Sequence, residues 1–194
     1  MPAISLPERD TLVEEIVERE WDMMKAVVSD GRSLCQERPG TFRAMRGMSH
    51  SVLSRDTLAS YLGDLRNAFA EGRNLVTEKY ARMEEKISPV SECPLIPRIV
   101  AIELEWMREL CADFPATFQA SMAYFARYEA CELETYSDST LTLLYRDVLA
   151  ARESGRNLVR ERYENLFRRL GKETIAEVEA GGRERAALEA GGAS

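Results

Sequence analysis

An all-α fold made of two related halves is what this sequence predicts, and three observations carry the expectation. Apolar residues recur at spacings of three and four along most of the 194 residues, with no alternating β-branched runs between turn signals. A proline-rich stretch at 88–97 interrupts that pattern near the middle. Sliding 54–83 by 83 positions onto 137–166 brings 12 of 30 residues into identity, where composition alone gives about 2.

The first helix is expected over 8–29, ended by Asp30-Gly31, and 31–40 reads as irregular before a short helix at 41–50. Ser54 is placed as an N-cap, its hydroxyl free to accept from the open amides of the next turn. One long helix then runs to Ile87, with Leu58, Leu62, Leu65, Phe69, Gly72, Val76, Tyr80 and Met83 on a stripe about 80° wide. Gly72 inside the stripe reads as a close helix crossing; the alternative is a C-cap glycine that divides two helices. Three prolines exclude regular helix from 88–97. Helices resume over 98–113, 116–136 and 139–180. Residues 181–194, with Glu-Ala-Gly-Gly repeated just before and within them, read as a fraying tail. The organisation expected is one helical domain, 1–180, in which an internally duplicated bundle (8–87 and 98–180, linker 88–97) packs about a pseudo-two-fold axis.

Composition removes whole classes of function. Hydrophobic residues make up 45% of the chain, too many for disorder, and no uncharged run approaches the roughly 20 residues of a membrane helix. A net charge of −7 works against nucleic-acid binding. The basic run Arg156, Arg160, Arg162, Arg168, Arg169 and Lys172 is interleaved with Glu161 and Glu164, as on a solvated face. The N-terminus lacks the basic start and apolar core of a secretory signal. Four cysteines without Cys-x-x-Cys fit neither a zinc ribbon nor a disulfide scaffold, so reduced thiols in the cytoplasm are expected.

The candidate residues are those kept twice. Asp64, Asn74 and Glu78 share a side of the long helix away from its apolar stripe, and Asp147, Asn157 and Glu161 repeat them. Surface positions tolerate most polar residues, so retained identities mark a face touching another helix, a second subunit or a ligand. Glu20 sits beside Trp21 on the apolar stripe of the first helix, and a slip of two residues pairs it with Glu105 beside Trp106. A buried carboxylate needs a partner or a raised pKa. Arg73 and Arg156 are the expected partners, in buried pairs that hold the copies in register.

The functional alternative is that Glu20, Glu78, Glu105 and Glu161 converge and hold a divalent cation or supply acid–base chemistry. A di-iron bundle needs two Glu-x-x-His motifs, and His50 is the single histidine. Glu14-Glu15-x-x-Glu18 echoes the Mg²⁺ motif of the all-α nucleotide pyrophosphohydrolases, but their Glu-x-x-Asp pair is absent. A further reading pairs Cys35 with His50 as nucleophile and base, against the bland one of a packed thiol. Phosphate loops, dinucleotide fingerprints and Ser/His/Asp arrangements are missing. The first function expected is therefore an interaction or small-ligand-binding module, and the second an enzyme or metal protein using the repeated glutamates. The sequence requires no cofactor, and homo-oligomers are compatible with it.

The block Gly72-Arg73-Asn74-Leu75-Val76-Thr77-Glu78-Lys79-Tyr80-Ala81-Arg82-Met83 resembles the signature of a bacterial domain-of-unknown-function family, the one numbered 4125. Glu20-Trp21, Cys35-Gln36, Phe42 with Met45-Arg46, and Glu134-Thr135-Tyr136-Ser137 extend the resemblance from about residue 12 to 178. The chain departs from it in the linker, around Phe114 to Tyr128, and at Ser49-His50, where a glutamine is expected. The resemblance implies a cytoplasmic all-helical domain and no particular reaction.

Overall fold

The computed structural model describes residues 8–27, 34–171 and 174–191, and among them every regular element is a helix. In chain order these are α1 (Arg9–Lys25), α2 (Leu34–Glu37), α3 (Pro39–His50), α4 (Arg55–Ala70), α5 (Leu75–Met83), α6 (Leu95–Asp113), α7 (Met122–Leu133), α8 (Asp138–Glu153), α9 (Leu158–Arg169) and α10 (Ile175–Gly191). α1 packs against α3, α4 and α5, and α6 packs against α7, α8 and α9. The halves meet where α4 crosses α8, α3 meets α9 and α5 meets α7. Ile16, Leu58, Leu65, Ile99, Leu110, Leu141, Val148 and Leu158 lie fully buried in one continuous core.

The long helix expected from Ser54 to Ile87 is two helices, and the C-cap alternative for Gly72 is the one observed. Gly72 has φ +69° and Gly155 φ +68°, the left-handed conformation open to glycine without Cβ strain. The Gly72 amide donates to the Phe69 carbonyl at 3.1 Å and the Arg73 amide to Ala68 at 2.8 Å. Those two bonds make a Schellman ending, and Gly155 and Arg156 repeat it on Arg152 and Ala151. Two residues later the Asn74 and Asn157 side chains accept from the Thr77 and Arg160 amides, each at 2.9 Å, and start α5 and α9. Gly-Arg-Asn is thus a corner. Phe69, in the last turn of α4 just before that corner, is 77% exposed.

Ser54 caps α4 as expected, and Ser137 does the same for α8. Each first turn also receives a carboxylate from the other half. Asp147 Oδ2 accepts from the Ser54 amide at 2.9 Å and the Thr57 hydroxyl at 2.6 Å. Asp64 Oδ2 accepts from the Ser137 amide at 3.1 Å and the Thr140 hydroxyl at 2.6 Å. Negative charge at a helix N-terminus is stabilising, so these aspartates fasten α4 to α8.

Other boundaries shift for local reasons. The stretch 31–40, expected irregular, holds α2 and the start of α3. α6 begins at Leu95 inside the expected 88–97 linker, its Pro97 lying in the first turn where no amide partner is needed. α1 ends at Lys25, where the Gln36 side chain donates to the Met24 and Val27 carbonyls at 3.0 and 2.8 Å. The expected stop at Asp30-Gly31 lies outside the described residues. α7 starts only at Met122, capped by Ser121. The long last helix divides at Gly155 and again at Gly171, φ +76°. Of the stretch read as a fraying tail, 181–191 continues α10, and 192–194 lie outside the described residues. Glu179 anchors that helix, accepting from the Ala116 amide at 3.2 Å and the Thr117 hydroxyl at 2.8 Å. A Cβ on Gly182 would come 3.3 Å from Ala116, so glycine permits the close approach. No helix among the described residues is long and apolar enough to cross a membrane.

Candidate functional site

A buried network of charges lies between α1, α3, α5 and α7. Arg46 and His50 are one turn apart on α3, so both reach α1 from the same face. Arg46 grips Glu20 through Nε at 2.8 Å and Nη2 at 2.6 Å. The same guanidinium reaches Glu132 of α7 through Nη1 at 3.0 Å and Nη2 at 2.6 Å. His50 Nε2 stands 3.0 Å from Glu20 Oε1, and the Tyr61 hydroxyl donates to that oxygen at 2.8 Å. Lys79 of α5 pairs with Glu132, and the Tyr136 hydroxyl donates to Glu132 at 3.3 Å. Glu20 and His50 are each 1% exposed.

Two carboxylates in such a place stay ionised only because cations face them. Burial alone would raise Glu20, but Arg46 foremost, with the hydrogen bond to His50, holds it down at about 2. Burial works the same way on Glu132, and Arg46 with Lys79 overcomes it, leaving that carboxyl well below its usual range. Burial drives Tyr61 and Tyr136 well above the ordinary phenol value, so both remain donors. Lys79 also lies 3.4 Å from the centre of the Tyr128 ring, a cation–π contact in a desolvated setting.

Above this network opens an apolar pocket of about 330 Å³. Phe42 and Met45 of α3, Leu75, Val76 and Tyr80 of α5, and Tyr124 and Tyr128 of α7 supply its walls. Glu20, Arg46, Lys79 and Glu132 form its floor, and Arg38 and Thr41 stand at the start of α3. A large apolar cavity with a few convergent polar groups is the usual form of a small-molecule site.

A second buried carboxylate network adjoins the first. Glu103 of α6, 1% exposed, accepts from Arg162 of α9 at 2.5 and 3.3 Å. Burial, with Glu103 beside it, pushes the Glu129 carboxyl up to about 8.

Of the candidate site residues read from the sequence, the structure brings Glu20 and His50 together, while Arg73, Asn74, Glu78, Glu105, Arg156, Asn157 and Glu161 lie elsewhere. Arg73 binds Glu78 at 2.9 and 2.8 Å, and Arg156 binds Glu161 at 2.8 and 2.6 Å, both as surface forks. Neither arginine reaches Glu20 or Glu105; Glu20 has Arg46, and Glu105 is an exposed residue 3.2 Å from Arg152. Asn74 and Asn157 cap helices while donating to the Met23 and Trp106 carbonyls at 2.8 and 3.1 Å. Glu78, Glu105 and Glu161 thus each pair with a surface arginine, away from the Glu20 network. Among the described residues no group of three or more His, Cys, Asp or Glu side chains is placed to hold a metal ion. Cys35 lies in α2 with its side chain outside the described part, so its proposed meeting with His50 is not described.

Sequence reasoning named Arg46 and Lys79 only within the family resemblance, and missed Tyr61, Glu103 and Glu132. It read Arg162 as part of a solvated face, where it pairs with the buried Glu103. Part of the signal was there. The Asn74–Met23 and Asn157–Trp106 bonds fix the register between α1 and α6 at 83 positions, without the slip of two. That register carries Glu20 to Glu103 and Lys79 to Arg162. Arg46 and Glu132, 86 positions apart, have no such signal.

The fold and site define an all-helical protein with an apolar pocket seated on buried ion pairs. The chain belongs to the family described as "Protein of unknown function (DUF4125)", whose profile matches residues 10–180. No curated protein and no solved structure matches it.

Proposed function

We propose that this chain binds a small amphipathic anion in the pocket between α3, α5 and α7. The observation that carries the reading is the union of a 330 Å³ apolar cavity with a floor of buried, hydrogen-bonded charges. The aromatic walls take the body of a ligand, and the charge count favours an acidic head. Glu20 and Glu132 are balanced by Arg46 and Lys79. Arg38, exposed at the pocket rim, has no partner among the described residues, which leaves one cation in excess inside a chain of net charge −7. A carboxylate, sulfonate or phosphate on the ligand supplies the matching charge.

The test uses two fluorescent probes with the same aromatic body, anionic 8-anilinonaphthalene-1-sulfonate and neutral N-phenyl-1-naphthylamine. Both should bind the folded chain, Thr41→Phe should abolish both, and Arg38→Ala should weaken the sulfonate alone. Unchanged binding in Thr41→Phe would remove the pocket as the site.

We also infer that the two halves are duplicates packed about a pseudo-two-fold axis, joined through 88–94, the stretch before α6. α3 and α7 lie 83 positions apart at both ends, as do α4 and α8. The contacts of α1 with α3, α4 and α5 have their counterparts in those of α6 with α7, α8 and α9. The halves have diverged at the site, because the counterpart of Arg46 is Glu129. Cys93, Cys111 and Cys131 are free thiols, which supports a reducing compartment such as the cytoplasm.

A further inference from the structure

Behind Tyr128 lies a second chamber of about 30 Å³, with Ser49, His50, Glu103, Glu129 and Arg162 among its walls. Tyr128 and Glu132 line both this chamber and the larger pocket. Two polar atoms of its lining residues are buried without a hydrogen-bond partner among the described residues, His50 Nδ1 and Arg162 Nε. Each belongs to a side chain whose far end is committed, His50 Nε2 to Glu20 and the Arg162 terminal nitrogens to Glu103. Buried polar atoms are nearly always satisfied, so a pair of orphans at one chamber points to a shared partner.

The two orphans have opposite requirements. An imidazole that donates from Nε2 keeps a bare lone pair on Nδ1 when neutral, while an arginine Nε–H can only donate. A partner shared by the two accepts from Arg162 Nε and, with the His50 Nε2–H given to Glu20, donates to His50 Nδ1; the chamber has room for one water, two at most.

We propose that the chamber is a water site in which Arg162 Nε donates to the water and the water donates to His50 Nδ1, with the His50 tautomer fixed by Nε2–H on Glu20. This water site stands whether or not the larger pocket binds an anion.

His50 is the single histidine, so one imidazole spectrum reports on it without assignment variants. Long-range ¹⁵N–¹H correlation on the full chain at pH 7 should give the Nε2–H tautomer, with Nδ1 shifted from a free lone pair towards a hydrogen-bonded one. Arg162→Lys keeps a charge for Glu103 but lacks Nε, and it should move the Nδ1 resonance while the tautomer stays. An Nδ1–H tautomer, an imidazolium, or an Nδ1 resonance unmoved in folded Arg162→Lys overturns the proposal. If that variant does not fold, a crystal structure of the unaltered chain decides. Oxygen density between His50 Nδ1 and Arg162 Nε supports the site, and an ordered chamber without it overturns the site.

Discussion

The guanidinium of Arg46 holds the carboxylate of Glu132 at 3.0 and 2.6 Å across 86 positions of chain, joining α3 to α7 beneath the pocket. The same guanidinium holds Glu20 on α1, so one side chain compensates two buried carboxylates. Removing one member of such a group leaves buried charge unpaired, which costs more than the pair itself contributes. Arg46→Met should lower unfolding stability by about 3–5 kcal/mol, measured by urea denaturation at pH 7. A loss under about 1 kcal/mol would mean that water reaches the carboxylates.

The two corners give a second prediction, of opposite sign to the expectation for a continuous helix. In a helix interior, glycine to alanine stabilises by up to about 1 kcal/mol. At φ +69° and +68° the same change forces a Cβ into the left-handed region, although nothing lies within 4 Å of it. Gly72→Ala and Gly155→Ala should therefore each destabilise the fold by about 1 kcal/mol in urea denaturation.

The reciprocal caps predict a paired effect. Asp64→Ala removes the acceptor of the Ser137 amide and Thr140 hydroxyl, and Asp147→Ala removes that of Ser54 and Thr57. Each should cost about 1–2 kcal/mol, since a lost cap leaves part-buried donors unmet. Asp64→Asn and Asp147→Asn should recover part of that loss in the same denaturation series.

Stability should fall at both ends of the pH range for different residues. With Glu20 at about 2 in the folded chain against an ordinary 4.5, the folded state binds fewer protons than the unfolded one between those values. The stability it contributes is present above pH 4.5 and lost as pH falls towards 2, and Glu132 acts in the same direction. Glu129 has the opposite sign. Its folded value is raised to about 8, so the folded state binds more protons and loses stability as pH rises from 4.5 through 8. Glu129→Gln should narrow the difference between urea midpoints at pH 5 and pH 8.5. An unaltered difference would mean that Glu129 is ionised at neutral pH.

How much of this was legible beforehand depended on chain distance. Helical periodicity and the Ser54 cap are local, and the sequence carries them openly. Gly-Arg-Asn is local too, but its glycine falls on the same 100° stripe as the core residues, so a continuous helix and a corner give the same pattern. The retained aspartates were legible as important and not as caps, because their partners sit 73 to 93 positions away. Glu20 was legible as a carboxylate on an apolar face. Its partner was not, because arginines occur on many faces and only the packing of α3 on α1 selects Arg46. Glu103 was hidden by the neighbouring Glu105-Trp106 pair, which resembles Glu20-Trp21 more closely than the true register does.

Methyl NMR on adding 8-anilinonaphthalene-1-sulfonate locates the ligand most directly. If the pocket between α3, α5 and α7 is the site, shifts should concentrate at the methyls of Met45, Leu75 and Val76, while the buried Leu141 stays still. Shifts confined to the neighbourhood of Phe69 or Leu170, large apolar residues exposed by 77% and 61%, would place binding on the open surface and contradict the proposed function.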